Sequence, residues 1–489
     1  MTQTLLLKTE ESVKSTQVFP QVGKCNIALY KRNNGADTAE FWIWGIDLAS
    51  YPLKINGGTF TEWSAALGSN QIPISTIKVE GNELVLPSAT TCYFKVKLDA
   101  GKKHCYLMFD NYLSDTSLLG GTKMKEMRAD WSRRPYTINS LNDIFLNRNV
   151  NYNVENWDVS NVINFTNAFN GSLGFNQDLS SWDMSNAVYL TGMFSNSSFN
   201  RDISNWRFQS VVNLSYMFAS NSEFNQNISG WNTSTVQQFI SMFHAARKFN
   251  QPLNNWDMSG AISLSNMFNS ASSFNQSLDN WNILNVIDLS YIFHYAVSFN
   301  QNISSWNTTN VDSFRAAFYH AHKYNQPLNN WNTSKVTDMQ LMFIGAWVFN
   351  QPLNNWDVSS VLYMNNMFQE AYMFNQDISG WDVRKVTNMN QMFAYATAFD
   401  QDLSLWCAKF NTEVNLDNFM LGKTYSTNNY DKFLNALWID VGTTRKTAWT
   451  SRVTARLLGM GTSKFSSASA AARANLISSG WTITDGGQA

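Results

Sequence analysis

A tryptophan recurs along more than half of this chain: Trp157, Trp182, Trp206, Trp231, Trp256, Trp281, Trp306, Trp331, Trp356, Trp381 and Trp406, spaced by 25 residues with a single interval of 24. A globular core has no use for such a period. Stacked units do, because each must offer its neighbour the same surface. The period constrains the architecture before any other feature does.

Positions are counted here from the Trp. Position −3 is aliphatic in every unit (Leu253, Leu278, Ile303, Leu328), and +2 is mostly apolar or Thr (Met258, Ile283, Thr308, Val358). Trp and +2 share a face if the segment is extended, so a strand is expected there. Apolar residues then fall at +5, +8, +12 and +15, as in Val361, Met364, Phe368 and Ala371. Steps of 3, 4 and 3 draw one stripe on a helix, and Ser at +3 (Ser185, Ser334, Ser359) suits its N-cap. An aromatic followed by Asn and usually Gln opens the next unit, as in Phe349-Asn350-Gln351. These amides are expected to bridge successive loop backbones.

Leu-x-x-Trp-x-Val, as in Leu353–Val358, has the form of the leucine-rich-repeat strand. The whole unit at 374–399, FNQDISGWDVRKVTNMNQMFAYATAF, closely resembles the BspA-like bacterial surface-protein repeat, a relative of leucine-rich repeats. The likeness covers about 150–489, since SKFSSASAAARANLISSGWTITDGG resembles that family's terminal segment. It implies an α/β solenoid, with a parallel sheet on one side and short helices on the other. It also implies adhesion at a cell surface.

Four regions follow. Residues 1–125 hold short β-branched and aromatic segments bounded by Gly, Asn and Pro, which reads as an all-β, sandwich-like attachment domain. Residues 126–149 form a linker and N-terminal cap, with Ile138, Leu141, Ile144 and Phe145 as a degenerate first coil. The eleven-unit solenoid occupies 150–406, and 407–489 is an α/β capping region with a helix at Ser463–Ser479 and a closing strand at Trp481–Thr484.

Charge and targeting signals narrow the function. The stretch 150–406 has 17 acidic and 9 basic side chains, a net −8, against +7 in the flanks. Such a repeat is a poor partner for a phosphate backbone, so nucleic acid is not expected. Cys25, Cys92, Cys105 and Cys407 are too scattered for a disulfide scaffold and read as free thiols, Cys92 and Cys105 flanking a hairpin. The opening MTQTLLLKTEESVKS lacks the basic start and apolar run of a secretory signal, and no apolar stretch is long enough to insert in a bilayer.

Chemistry is sought in three places. His244, His294, His320 and His322 fall near expected helix C-termini, where the dipole favours a structural cation; no metal or other cofactor is assigned to them. Acids follow the Trp at Asp158, Asp183, Asp257, Asp357 and Asp382, but lie on an open face where Asn often replaces Asp. That favours a hydrogen-bonding ladder over catalysis, and no catalytic residue is assigned. Aromatics outside the core pattern are the better lead. His294, Tyr295, Tyr319, His320 and Tyr395 at +13 and +14 are the candidate ligand-binding residues. Trp347 and Tyr372 at +16 read as packing under neighbouring coils. The alternative site is the strand-face ribbon Asp257, Asn282, Asn307, Asn332, Asp357 and Asp382.

The expected function is non-enzymatic binding or adhesion. The first reading is a phage virion component, a tail fibre or receptor-binding protein. Its solenoid recognises a host surface glycan or protein, and its N-terminal domain docks on other virion proteins or forms a homo-oligomer such as a trimer. The alternative is a BspA-like adhesin on a bacterial surface, and a glycan-degrading enzyme is weaker than either.

Overall fold

The computed structural model describes residues 140–147, 154–155 and 159–489, together with the backbone of the strands that precede them. The chain divides into two compact units, Met1–Ser210 and Val211–Ala489. Ile138, Trp157 and Asp158 lie outside the described residues, as do the side chains of Cys25, Cys92 and Cys105.

In the first unit the strands make two antiparallel sheets. One runs in space Gln3–Lys8, His104–Phe109, Leu53–Asn56, Glu83–Val85, Lys78–Glu80. The other runs Gln17–Val22, Cys25–Tyr30, Thr38–Gly45, Thr91–Leu98, Gly58–Ser64, Ile72–Pro73. Thr91–Leu98 and His104–Phe109 thus belong to different sheets, so the expected hairpin between Cys92 and Cys105 does not form. Leu141, Ile144 and Phe145 are buried. The N–H groups of Leu141, Asp143, Phe145 and Asn147 donate to the carbonyls of Asn164, Thr166, Ala168 and Asn170, so this segment is bonded as a preceding coil.

The second unit repeats one hydrogen-bonding pattern, and it corrects the expected strand and helix. From Val211 to Leu403 the backbone runs in turns, with no helix and no extended strand. Each unit meets the next by a single parallel bridge at +7: Gln238 with Ser263, Ser263 with Asp288, Asp288 with Ser313, Ser313 with Asp338. From that bridge a ribbon of turns extends to +15. Leu264, Asn266, Phe268 and Ser270 donate to the carbonyls of Asp288, Ser290, Ile292 and His294 one unit on, at 3.2, 2.9, 3.0 and 2.6 Å. The intervening Met267, Asn269 and Ala271 donate to the carbonyl three residues back. The residues at +10 and +14 take left-handed φ, for example 58° at Asn266 and 60° at Ser270. An α-helix sends every N–H to its own carbonyl four residues back; here half of them leave the unit, which ties unit to unit. The 3-4-3 spacing was real, but it marks the inward residues of a ribbon.

The Trp likewise sits in a turn, its N–H bonded to the carbonyl at −3. Its ring is buried and its Nε1 donates to the −3 carbonyl of the preceding unit: Trp256 to Ile228, Trp281 to Leu253, Trp306 to Leu278, Trp331 to Ile303, at 2.8–3.1 Å. Indoles stack in register, Trp281 on Trp306 at 6.0 Å and Trp306 on Trp331 at 6.2 Å. Beside them run two phenyl columns, Phe243–Phe268–Phe293–Phe318 and Phe249–Phe274–Phe299–Tyr324. The Asn that follows the second column bridges units as expected. Asn275, Asn300, Asn325 and Asn350 each donate their N–H to the side-chain oxygen of the Asn one unit earlier, at 2.9–3.0 Å.

The stack closes on four helices, α1 (Ser404–Cys407), α2 (Thr427–Ile439), α3 (Lys446–Thr450) and α4 (Ala470–Ser478), with one π turn at Asp440–Thr444. The expected helix at Ser463–Ser479 therefore starts later, at Ala470; the segment before it is held by Asp431, which accepts from Ser466 and Ser469. The strand Trp481–Thr484 forms as expected, parallel to Arg456–Gly459. Arg445 forks onto buried Asp440, which also accepts from Trp449 Nε1 at 2.7 Å. Arg473 does the same to Asp485, which Tyr430 also reaches.

Candidate functional site

Three columns of rings climb consecutive units, each displaced along the turn ribbon. At +13, Asn269 Oδ1 lies 3.1 Å from His294 Nδ1, and that imidazole stacks on Tyr319 at 4.5 Å. At +14, Tyr295 stacks on His320 at 4.8 Å and 11°. At +16, His322 lies flat on Trp347 at 3.7 Å and 6°, and Trp347 faces Tyr372 at 6.3 Å. Edge contacts join the columns: Tyr295 with Tyr319 at 5.3 Å, Tyr319 with His320 at 4.6 Å, and His320 Nδ1 with His322 Nε2 at 3.1 Å. One diagonal strip results, from Asn269 to Tyr372.

Backbone geometry sets this display. Tyr295, His320 and Tyr395 hold φ of 52°, 50° and 58°. A left-handed residue with a side chain costs about 1 kcal/mol, and the ribbon holds it there: Tyr295 N–H donates to Tyr319 O at 2.7 Å, His320 N–H to Ile344 O at 2.6 Å. The next +14 residue after His320 is Gly345, where an added Cβ would meet the His320 ring at 2.4 Å. The missing side chain is what lets the imidazole lie over the following unit. Gly422 plays the same part for Tyr395, whose Cε1 would be 2.2 Å from an added Cβ.

The strip is electrically quiet. Burial, helped by the neighbouring His320 and His244, pushes His294 down to about 4. Burial also lowers His320, partly offset by Glu370, and lowers His322, where His320 adds to the effect. Burial raises the Tyr319 phenol, with Tyr295 and Glu370 contributing. Near neutral pH the imidazoles are therefore uncharged, and the strip offers ring edges that carry both C–H and polar groups.

The structure thus brings together His294, Tyr295, Tyr319 and His320, and leaves Tyr395 without a ring contact to them among the described residues. It adds His322, Trp347 and Tyr372, which the sequence reading had not placed in the site; Trp347 and Tyr372 are exposed, not packed away under loops. Their signal was available, since 322, 347 and 372 are themselves 25 apart. The histidines end no helix, so the dipole argument for them falls. Among the described residues no group of three His, Cys, Asp or Glu side chains is placed to hold a metal.

The alternative ribbon is not a strand face. Asp257, Asn282, Asn307, Asn332, Asp357 and Asp382 each accept, through Oδ1, the N–H two residues later in their own turn, at 2.9–3.2 Å. The Asx residue, not the expected Ser N-cap, thus fixes the turn after the Trp. Hydrogen bonds from Ser259 and Ser359 hold Asp257 and Asp357 below the usual carboxylate range, whereas a general acid needs a raised pKa.

The repeat stretch matches, over residues 123–220, 190–280, 252–347 and 327–433, the family described as "Mycoplasma protein of unknown function, DUF285". The chain belongs to this family. Its repeats are related to BspA-like repeats. No curated protein and no solved structure matches the chain. Among the described residues no helix is long and apolar enough to cross a membrane.

Proposed function

We propose that this chain is a non-enzymatic binding protein that attaches to a surface glycan or protein through a solenoid of its 25-residue units. The observation that carries this reading is the continuous strip of seven rings on interlocked turns, of which Tyr295, Trp347 and Tyr372 are exposed and the other four half-buried. Rings of this kind supply large contact area at little entropic cost. Function displayed on a repeated scaffold is the common use of stacked-unit proteins.

In its specific form the reading makes the chain a virion component, a tail fibre or receptor-binding protein. The all-antiparallel N-terminal strands would supply the attachment domain, docked on other virion proteins or forming a homo-oligomer. The relation of the repeats to BspA-like repeats favours the alternative, a bacterial cell-surface adhesin. Immunogold labelling separates the two: label on particles supports the first, label on cell envelopes the second. A glycan-degrading activity is disfavoured by the depressed, turn-bound aspartates.

The test of binding is Tyr319→Ala combined with His320→Ala. Capture of the protein by its native surface should fall at least tenfold while circular dichroism stays unchanged. Undiminished capture removes the strip from consideration.

A further inference from the structure

We infer that the ring strip takes a neutral, unbranched polysaccharide laid lengthwise across four successive units; this rests on the reading of the strip as the binding surface. Shape is the first argument. From His294 to Tyr372 ring contacts run without a break over four successive units, stepping sideways within one unit from Tyr319 through His320 to His322. At about 4.8 Å per unit such a track is on the order of 15–20 Å long; it is two or three rings across at His294 to His322 and narrows to one ring at Trp347 and Tyr372. That suits a chain of linked sugar rings, not a flat patch on a protein.

Area is the second argument. Tyr295, Trp347 and Tyr372 are 41%, 41% and 38% exposed, and the other rings less. With about 200 Å² per ring, the strip offers on the order of 400–500 Å². A stable protein partner covers roughly 800 Å² on each side.

Chemistry is the third. A pyranose has apolar C–H faces and a rim of hydroxyls. The exposed C–H rims of Trp347 and Tyr372, whose faces are turned toward one another along the column, fit the former; Tyr hydroxyls and imidazole nitrogens fit the latter. Glu370 is the carboxylate in electrostatic contact with Tyr319 and His320. It can accept from a sugar hydroxyl but repels an anionic polymer, which selects for a neutral chain.

The experiment runs the full chain through native gels cast with β-1,4-glucan, β-1,3-glucan, β-1,4-mannan or xylan, and with alginate as the anionic comparison. Trp347 emission is followed in parallel titrations. Retardation in at least one neutral gel is expected, with a change in emission. Tyr319→Ala with Trp347→Ala should weaken it at least tenfold. Tyr319→Phe should retain it, and so should Ile287→Ser on a different row. Retention that survives loss of both rings, or that occurs with alginate alone, overturns the inference. So does the absence of retention in every neutral gel. If the alanine pair still abolishes capture by the native surface, the binding reading stands and only the sugar assignment falls. If capture too is untouched, both fall.

Discussion

Single side chains add to the bonding between units where the turn ribbon does not reach. The indole is both filler and donor: its ring continues a stack, and its Nε1 satisfies the carbonyl at −3 of the preceding unit. Burial could be read from the sequence, because a strictly periodic Trp in a stacked protein has nowhere else to go. The donor role could not, since it depends on where a carbonyl 28 residues earlier points. The two roles separate by mutation. Trp281→Phe keeps a ring but leaves the buried Leu253 carbonyl with the Trp256 N–H as its remaining donor, a loss of about 0.5–1.5 kcal/mol. Trp281→Ala adds a cavity and should cost about 3–5 kcal/mol. Urea unfolding checks both, and a wild-type midpoint in Trp281→Phe would mean the hydrogen bond contributes nothing.

At the scale of the element, the turn ribbon explains why the sequence misled. Inward residues at +5, +8, +12 and +15 fit a helical stripe and a ribbon of three- and four-residue turns equally well. What separates them is the destination of the N–H groups and the left-handed residues at +10 and +14, and neither leaves a composition signal when Tyr, His, Asn and Ala fill those sites. The candidate site was legible in part for the same reason. His294, Tyr295, Tyr319 and His320 stood out as aromatics off the core pattern, whereas the +16 column joins them only because Gly345 lets His320 settle beside His322. The ribbon also makes a pH prediction. His294 binds its proton more weakly folded, at about 4, than unfolded, at about 6.5. Between those values the unfolded chain holds more protons, so stability is full above about pH 6.5 and declines as pH falls towards 4. His320 and His322 act in the same direction. The melting temperature should drop across that window and drop less in His294→Asn; an unchanged slope would contradict the burial of this imidazole.

For the whole molecule, the repeat and its closure pose different problems. Each unit is satisfied by the next, so a stack needs a last unit that ends the ladder. The C-terminal region supplies it: Leu416 bridges to Leu458, and Arg452 donates to the carbonyls of Thr412 and Val414. Arg445 ties α2 and α3 to the end of the repeat, reaching the carbonyls of Cys407 and Phe410 while pairing with Asp440. Arg445→Met strands a buried carboxylate, at a cost of about 3–5 kcal/mol. An earlier midpoint in urea is expected, with association on size-exclusion as the uncovered end finds other copies; a wild-type midpoint would show that the cap does not depend on this pair.

The sequence by itself determined the period, the buried columns of Trp and Phe and the bridging asparagines, because identical units in register leave little freedom over what faces inward. Only the tertiary structure decided that the units are turns joined by a parallel bridge and a ribbon of crossing backbone hydrogen bonds, that the aspartates after Trp serve their own backbone, and that rings from four units meet in one strip. Those outcomes depend on which carbonyl each N–H finds a whole unit away, and no local pattern of residues encodes that choice.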